Sequence, residues 1–298
     1  MQFLTYIVVY PLLWCISRLP FRLLYLISDG VYILLYYVIG YRKKVVTNNL
    51  QLVFPDKSAS EIAAIRKRFY KHLSDMFLEM AKTMSISEKA LKKRFLVTNP
   101  EEFKRLETLN KSVILIFGHY ASWEWAIVMQ HYINFKGLAV YKPLGNKYFD
   151  KLVRDIRSKF NTQLISTRDT ISTITRYETS GTKTITGFLS DQSPRRSKDV
   201  YWGRFMGIDI PCFTGAERLA KKLDFSTAYL KINKVKRGYY EAEIITLAED
   251  SNNYPDYKLT DMFLEALEEQ IHETPEYYFW THKRWKHRGK STKLEVRS

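Results

Sequence analysis

From Lys111 onward, the sequence alternates short apolar runs with longer segments of helical periodicity. Val113–Phe117 is apolar and rich in branched side chains, so it predicts a buried strand, and residues 123–135 then have the pattern of a helix. Further strands are predicted at residues 138–141, 163–165, 184–189, 227–232 and 241–247, and further helices at residues 148–160, 216–223 and 261–273. This alternation favours an α/β fold, with a mixed, mostly parallel sheet flanked by helices.

The chain begins with an apolar leader, residues 3–40. The residues that interrupt it are Arg18, Pro20, Arg22 and Asp29. A helix needs about 20 apolar residues to cross a bilayer, so residues 3–17 are short for a span, whereas residues 23–40 approach that length but carry Asp29. The basic run Arg42-Lys43-Lys44 follows, which is typical of a cytoplasmic headgroup layer. We interpret the leader as an uncleaved membrane anchor, either one tilted span or a pair of interfacial helices, with a buried core helix as the alternative.

A helical region lies between the leader and the α/β segment. Ser58-x-x-Glu61 has the form of a capping box and predicts the start of an amphipathic helix of about 25 residues. The apolar residues at helical spacing are Ile62, Ile65, Phe69, Leu73, Met76, Phe77, Met80 and Met84. We therefore divide the chain into a membrane anchor at residues 1–40, a helical linker region at residues 41–110 and an α/β domain at residues 111–298.

The formal net charge of +16 predicts an anionic partner. Nucleic acid, an acidic membrane surface, a phosphorylated lipid and an acidic carrier protein all fit such a charge, and a merely solvated basic surface is the alternative. We see no nucleic-acid-binding module, and the apolar leader argues against that class. The only two cysteines, Cys15 and Cys212, lie far apart, so a disulfide framework is not expected and a reducing compartment is.

The segment Gly118-His119-x4-Glu124 is the sharpest local motif, and it follows the predicted strand Val113–Phe117 directly. Ligands of open α/β sheets bind beyond the carboxyl ends of the strands. Two residues five apart do not share a face of a regular helix, but across a strand–turn–helix junction their side chains can meet. A carboxylate on one imidazole nitrogen fixes the tautomer and raises the basicity of the other nitrogen. The motif thus predicts that His119 is a general base with Glu124 as its partner.

A lone histidine at a strand end is more often structural than catalytic, so the surrounding sequence matters. The chain contains no Gly-x-Ser-x-Gly elbow, Walker loop, Gly-x-Gly-x-x-Gly or His-Glu-x-x-His motif that would supply a competing site. No other histidine or cysteine lies close to His119 at metal-ligand spacing, so we expect neither a metal nor a cofactor. These absences favour the catalytic interpretation of His119.

Gly118-His119-x4-Glu124 resembles the His-x4-Asp/Glu motif of the bacterial lipid A late acyltransferases, within the lysophospholipid acyltransferase-like superfamily. Other segments resemble this family in the same order along the chain, from about residue 40 to residue 287. They are Arg42-Lys43-Lys44-Val45-Val46-x-Asn48-Asn49-Leu50 with Phe54-Pro55, Val140-Tyr141-Lys142-Pro143-Leu144-x-Asn146, Arg157, Ser190-Asp191-Gln192-x-Pro194-Arg195, Phe213-Thr214-Gly215, and Pro275-Glu276-x-Tyr278-x-Trp280-x-His282-x-Arg284-x-Lys286.

The resemblance implies a glycerolipid acyltransferase-like α/β domain behind a membrane anchor, on the cytoplasmic side of the bacterial inner membrane. It implies transfer of a fatty acyl group from acyl carrier protein, or from acyl-CoA, to a hydroxyl of a lipid A precursor. His119 would be the general base with Glu124 as its partner, and Arg157 would stabilise oxyanion charge or bind phosphate. The residues expected at the substrate are Asp191, Gln192, Arg195, Thr214 and Arg284.

Several of these roles have simpler alternatives. Asp191 could orient Arg157 or an acceptor group, or it could be a turn residue, and Thr214 could be a helix cap. Arg195 and Arg284 are expected to contact phosphate or carrier, with solvated surface as the alternative. Residues 120–123, Tyr-Ala-Ser-Trp, are more polar and aromatic than in lauroyl-type members, so an aminolipid, a phospholipid or a pigment precursor stays open as the acceptor. An inactive membrane-anchored binding protein is a further alternative.

Overall fold

A seven-stranded sheet forms the centre of the protein. The computed structural model describes residues 2–194 and 200–289. The strands are β1 (Phe95–Val97), β2 (Val113–Phe117), β3 (Lys136–Tyr141), β4 (Gln163–Ser166), β5 (Thr184–Leu189), β6 (Trp202–Phe205), β7 (Ile208–Pro211), β8 (Ser226–Lys236) and β9 (Tyr239–Ala248). The main sheet has the order β1-β9-β8-β2-β5-β3-β4, and β6 pairs with β7 in a separate antiparallel ribbon. Within the main sheet the β8–β9 pair is antiparallel and the other pairs are parallel.

Helices cover the sheet and form the N-terminal part of the chain. They are α1 (Gln2–Arg18), α2 (Phe21–Ile33), α3 (Lys43–Val53), α4 (Ala59–Lys82), α5 (Glu88–Lys92), α6 (Pro100–Thr108), α7 (Lys147–Arg157), α8 (Thr170–Thr179), α9 (Gly215–Leu223) and α10 (Lys258–Glu273). Helix α2 continues into a π-helical turn, Leu34–Val38, and short 3-10 helices are Trp123–Tyr132, Ser251–Asn253 and Pro275–Tyr277. The predicted class, a mixed, mostly parallel sheet flanked by helices, is confirmed.

The segment after β2 differs from its prediction. Residues 123–135 were expected to form an α-helix, but Trp123–Tyr132 is a 3-10 helix. Its buried side chains include Trp123, Trp125, Ile127 and Val128, which do not fall on one face of an α-helix. Packing inside the protein therefore decides the local conformation here.

The carboxyl end of β2 lies at a change of direction in the sheet. The chain leaves β2 for β3 on one side, while β8 pairs with β2 on the other side. Such a point leaves a crevice beyond the strand ends, where α/β proteins bind ligands. Gly118 follows β2, and a Cβ atom there would lie 2.7 Å from Leu267 Cδ1 of α10. A larger residue at this exit would have to displace the Leu267 side chain, because α10 packs closely against Gly118.

Helix α4 links the N-terminal helices to the sheet. The predicted capping box is present, since Ser58 N donates to Glu61 Oε2 at 2.8 Å and Glu61 N donates to Ser58 Oγ at 3.3 Å. The apolar stripe of α4 is buried as expected at Ile62, Ile65, Phe69, Leu73 and Met76, whereas Phe77 is exposed. The region predicted as a helical linker also supplies β1, which pairs with β9 at the edge of the sheet.

The N-terminal helices pack against α4. Phe21–Val38 is long and apolar enough to cross a membrane by length and composition. This segment is the candidate for the anchor.

A buried carboxyl group joins α2, α4 and β9. Glu79 is 1% exposed and accepts hydrogen bonds from Tyr25 OH and Tyr240 OH, each at 2.8 Å. Burial raises the pKa of Glu79 to about 7, although Lys234 works in the opposite direction. The folded protein therefore holds this proton up to a higher pH than the unfolded chain does.

We predict that Glu79 makes the fold less stable as the pH rises. Its contribution is fully present below the unfolded pKa near 4.5 and is lost as the pH rises through about 7, because only the folded state still binds the proton in between. In Glu79→Gln, the decrease in the free energy of unfolding between pH 5 and 7.5 should be smaller than in wild type, by about 3 kcal/mol at most. Thermal unfolding in detergent at the two pH values measures this difference, and Glu265→Gln, at an exposed site, is the control. Equal pH dependence in wild type and Glu79→Gln would contradict the prediction.

Candidate functional site

His119 and Asp191 meet at the carboxyl ends of two neighbouring parallel strands. Phe117 of β2 pairs in register with Leu189 of β5, and each chain then continues for two residues to His119 and Asp191. His119 Nδ1 lies 2.6 Å from Asp191 Oδ1, and the His119 backbone N–H donates to Asp191 Oδ2 at 3.1 Å. One carboxylate therefore holds both the backbone and the ring of the histidine.

The charge on Asp191 sets the tautomer of His119. Asp191 is 1% exposed, and burial alone would raise the pKa of its carboxyl group. The charge of His119 and its two hydrogen bonds outweigh burial, so the pKa of Asp191 is lowered and the group stays ionised. An ionised carboxylate can only accept, so Nδ1 carries the hydrogen and Nε2 is left with its lone pair.

Gln192 occupies the side of the ring opposite to Asp191. Its Nε2 lies 3.2 Å from His119 Nε2, and the amide N–H donates to the lone pair of the ring nitrogen. Trp123 and Phe279 pack against the same imidazole, with ring centroids 5.1 and 6.0 Å away. The nitrogen that can accept a proton is thus held in place and already contacts a hydrogen-bond donor.

The loop that carries His119 is clamped by other parts of the chain. Phe279 N donates to His119 O and Ala121 N donates to Tyr277 O, both at 3.0 Å. Ala121 has φ +49°, a left-handed conformation that costs energy in a residue other than glycine. The buried His72 contacts Ala121 O through Nε2 at 3.3 Å. These bonds hold a strained turn directly after His119.

Glu124 does not bind the imidazole, which corrects the expected contact. Its carboxylate accepts from Arg157 Nε at 2.9 Å and from Arg157 NH2 at 2.5 Å, in a bidentate pair. The turn at Ala121 and the 3-10 helix direct Glu124 towards the end of α7, while Asp191 takes the position beside His119. Burial acts to lower the pKa of Arg157, but the charge and hydrogen bonds of Glu124 raise it, so the guanidinium stays charged.

Glu124 and Arg157 line a cavity whose other walls are mainly apolar. It has about 780 Å³ of empty space, part of which is open to solvent. The apolar walls include Phe117, Trp123, Leu138, Val140, Leu164 and Leu189. Because Trp123 contacts the His119 ring and also lines this space, the apolar cavity and the histidine adjoin each other.

Two of the remaining predicted substrate residues, Arg284 and Thr214, do not line this cavity. Arg284 is 0% exposed and donates to Pro211 O at 2.8 Å, so the expected contact with phosphate or carrier does not fit its burial. Nothing in the sequence separates this buried arginine from its solvated basic neighbours. Thr214 directly precedes α9, and its side chain makes no capping hydrogen bond. Arg195 lies outside the described residues.

Sequence reasoning missed the role of another histidine near the site, the partly buried His282. His282 Nε2 accepts from Ser193 N at 3.3 Å, two residues after Asp191. Burial lowers the pKa of His282 to about 4, against the pull of Asp191, so the ring is a neutral acceptor. Asn49 Nδ2 in turn donates to His282 O and Trp280 O, both at 2.9 Å. The sequence signal that could have located His282 is the run of alternating aromatic and basic residues around it.

Comparison of the sequence with known proteins identifies a family. The sequence profile described as bacterial lipid A biosynthesis acyltransferase matches residues 1–287. The chain belongs to this family. It is similar to the lipid A biosynthesis palmitoleoyltransferase of Escherichia coli K12, with 22% identity over 281 residues, which cover 93% of this chain and 89% of the relative.

Two further relatives agree with this assignment. The lipid A biosynthesis acyltransferase of Shigella flexneri is 22% identical over 281 residues, with the same coverage. The lipid A biosynthesis lauroyltransferase of Escherichia coli K12 is 22% identical over 277 residues, again with 93% of this chain and 89% of the relative covered. The protein is therefore an acyltransferase of the lipid A biosynthesis type.

We predict that Asp191→Asn lowers the kcat of this acyltransferase by about 10³-fold or more, because an amide no longer fixes the tautomer or stabilises the imidazolium. KM should change much less, since the side chain is buried behind the ring. Steady-state kinetics measure the effect. Asp256→Asn is the matched control, because Asp256 is exposed and paired with Lys221. A kcat within a few-fold of wild type would show that Asp191 has no such role.

Proposed function

We propose that this enzyme moves a fatty acyl group from acyl carrier protein, or from acyl-CoA, to a hydroxyl of a lipid A precursor. It works at the bacterial inner membrane with its catalytic domain on the cytoplasmic side. The observation that carries the chemistry is the ionised Asp191 on His119 Nδ1, which leaves Nε2 as a base. The names of the relatives support the acceptor, and no cofactor is required.

His119 performs the proton transfers. As the acceptor hydroxyl oxygen attacks the thioester carbonyl carbon, its proton passes to His119 Nε2 and the carbonyl oxygen becomes an oxyanion. Asp191 stabilises the imidazolium that forms. When the oxyanion collapses, the carbon–sulfur bond breaks, the thiolate takes the proton from Nε2, and the ester is released. When the acceptor hydroxyl binds, the Gln192 amide moves its hydrogen bond from His119 Nε2 to that hydroxyl and orients it.

Arg157 supplies the positive charge that the oxyanion needs. Its guanidinium is 26% exposed and lines the cavity, so one side of it is open to a substrate. Glu124 holds the guanidinium by two hydrogen bonds and fixes its direction. A charged donor oriented in advance in a partly dry site stabilises developing charge strongly. Glu124 thus acts through Arg157, and Asp191 takes the partner role first expected of Glu124.

The apolar cavity receives the acyl chain. One charged pair, Glu124 and Arg157, lines a cavity whose other walls are mainly apolar, which suits a thioester beside the pair and a hydrocarbon tail along the apolar walls. Three relatives are named for acyl transfer in lipid A biosynthesis, and two of those names specify long acyl chains. The net charge of +16 suits both an acidic carrier protein and a phosphorylated glycolipid.

Purified enzyme in detergent tests the proposal. It is incubated with acyl thioesters of acyl carrier protein or of coenzyme A. A lipid A precursor, a phospholipid and an aminolipid are offered as acceptors in parallel reactions, and the products are identified by mass spectrometry. We expect one added acyl chain on the lipid A precursor, and none with His119→Ala. Acylation of the phospholipid or aminolipid alone would overturn the acceptor. No transfer to any lipid, with folding intact, would favour a binding protein.

Removing the charge of Glu124 should impair catalysis by freeing Arg157. We predict that Glu124→Gln lowers kcat by about 10²-fold, the scale of one lost oxyanion contact, and that it also lowers the melting temperature, because the Arg157 charge loses its partner. Glu243→Gln, at an exposed site on β9, is the matched control. If Glu124→Gln turned over like the control, the arginine would not depend on this carboxylate.

Narrowing the cavity should change the choice of donor. Ala139 lines it from β3, and Ala139→Phe places a ring in the space of the acyl chain. With thioesters of increasing chain length, we predict that kcat/KM for the longest preferred donor falls at least about tenfold while shorter donors lose less, because each excluded methylene forfeits about 0.8 kcal/mol of burial. Ala139→Ser, which keeps the volume, is the control. An equal loss for all chain lengths would show that the acyl chain lies elsewhere.

A further inference from the structure

Helix α2 has two different long faces. Leu24, Ser28 and Tyr32 repeat at every fourth position and are buried against the protein. The opposite face is apolar and exposed, with Leu23, Leu26, Ile27, Ile33, Leu34, Tyr37 and Val38. Helix α1 continues this surface with Phe3, Ile7, Val8, Leu12 and Trp14. Both helices thus present many large apolar side chains outward, which is rare on a surface that faces water.

The inner face of α2 is fastened by polar and charged contacts. Ser28 Oγ donates to Asp75 Oδ1 of α4 at 2.7 Å. Arg237, from the turn between β8 and β9, donates at 2.7 Å both to Asp29 of α2 and to Asp75. The side chain of Asp75 is only 4% exposed. These contacts join the middle of the leader to two elements of the catalytic domain.

Helix α1 is fastened as well. Lys82 Nζ donates to the carbonyl oxygens of Ser17 and Leu19, both at 2.7 Å, and so satisfies the end of α1. Near the other end, the ring of Tyr6 packs against Tyr148 and Phe149 of α7, with centroids 5.5 and 5.8 Å away. Both helices therefore lie along the catalytic domain.

A membrane span by α2 is incompatible with these contacts. To cross the bilayer, α2 would have to leave α4. Asp29 would then lose Arg237 and enter hydrocarbon, and the buried carboxyl groups of Asp75 and Glu79 would lose the hydrogen bonds from Ser28 and Tyr25. These losses are costly, because buried polar and charged groups need their partners and lipid offers none. A helix that lies in the interface keeps every contact and still buries its outer face in lipid.

Basic residues at the edge of the apolar surface indicate what covers it. Arg18 and Arg22 are exposed at the turn between α1 and α2, and Arg42 and Lys44 are exposed just after the π-helical turn. Cations beside an apolar face match anionic headgroups above the acyl chains of one leaflet. Trp14 and Tyr37 add exposed aromatic rings of the type found at that boundary.

We propose that α1 and α2 form a monotopic anchor that enters one leaflet without crossing the bilayer. The turn between them, at Leu19 and Pro20, then stays on the same side of the membrane as the catalytic domain. The proposal rests on the proposed function only in placing the enzyme at a membrane. Both spanning arrangements, a single span by α2 and a hairpin of two spans, put this turn on the opposite side.

Cysteine labelling at the turn separates these arrangements. The full chain carries Cys15→Ser, and the remaining Cys212 is buried. Arg18→Cys reports on the turn and Lys104→Cys, exposed on α6, reports on the catalytic domain. In sealed inner-membrane vesicles of known orientation, a membrane-impermeant maleimide should label both positions from the same face. Labelling of Arg18→Cys only from the face opposite to Lys104→Cys would overturn the proposal.

Vesicle flotation tests the apolar surface itself. With vesicles of phosphatidylethanolamine and phosphatidylglycerol, Leu26→Glu/Ile33→Glu should reduce the bound fraction at least about fivefold, whereas Ile171→Glu, at an exposed apolar site on α8, should not. Equal binding of the two variants would overturn the assignment of this face. Acyl transfer in detergent is measured on the same proteins. Loss of flotation with normal transfer supports the anchor, and absence of transfer in wild type would count against the proposed function alone.

Discussion

The parallel pairing of β2 with β5 is the constraint on which the site depends. Because their residues are in register, the two chains emerge from the sheet side by side and bring His119 to Asp191. A buried carboxylate that stays ionised next to an imidazole fixes one tautomer. The proton-accepting nitrogen therefore lies on the side of the ring opposite to Asp191, where Gln192 contacts it. Glu124 and Arg157, on other elements, form a charged pair that lines the adjoining cavity.

Polar contacts also connect the leader to the catalytic loop. Asp75, which holds α2, lies 3.5 Å from Lys234 Nζ, and that ammonium donates to His72 Nδ1 at 3.2 Å. His72 then contacts Ala121 O through its other nitrogen, two residues after His119. Because the lysine donates to Nδ1 of His72, Nε2 must carry the hydrogen. Donor and acceptor are therefore defined at each contact of this network. Helix α2 and the strained turn that follows His119 thus share one buried network of polar contacts.

The sequence predicted the fold class and the position of the histidine, because a short branched run followed by glycine is a local signal. It did not predict the partner of His119, because that depends on which strands are neighbours in the sheet. Glu124 was the nearest acid along the chain, whereas Asp191, 72 positions away, is the acid in space. Arg284 and His282 were misjudged for a related reason. Burial of a basic segment depends on packing against β6, β7 and α3, which composition does not reveal.

Nitrogen NMR of the enzyme with ¹⁵N-labelled histidine tests the central claim most directly, with the His119 signals assigned from their loss in His119→Gln. The account predicts that the neutral imidazole of His119 carries its hydrogen on Nδ1, in a strong hydrogen bond, and none on Nε2. It also predicts that Glu124→Gln leaves both signals nearly unchanged, since the carboxylate on the ring is Asp191. A proton on Nε2 with a bare Nδ1, or signals that move with Glu124 and not with Asp191, would contradict the account.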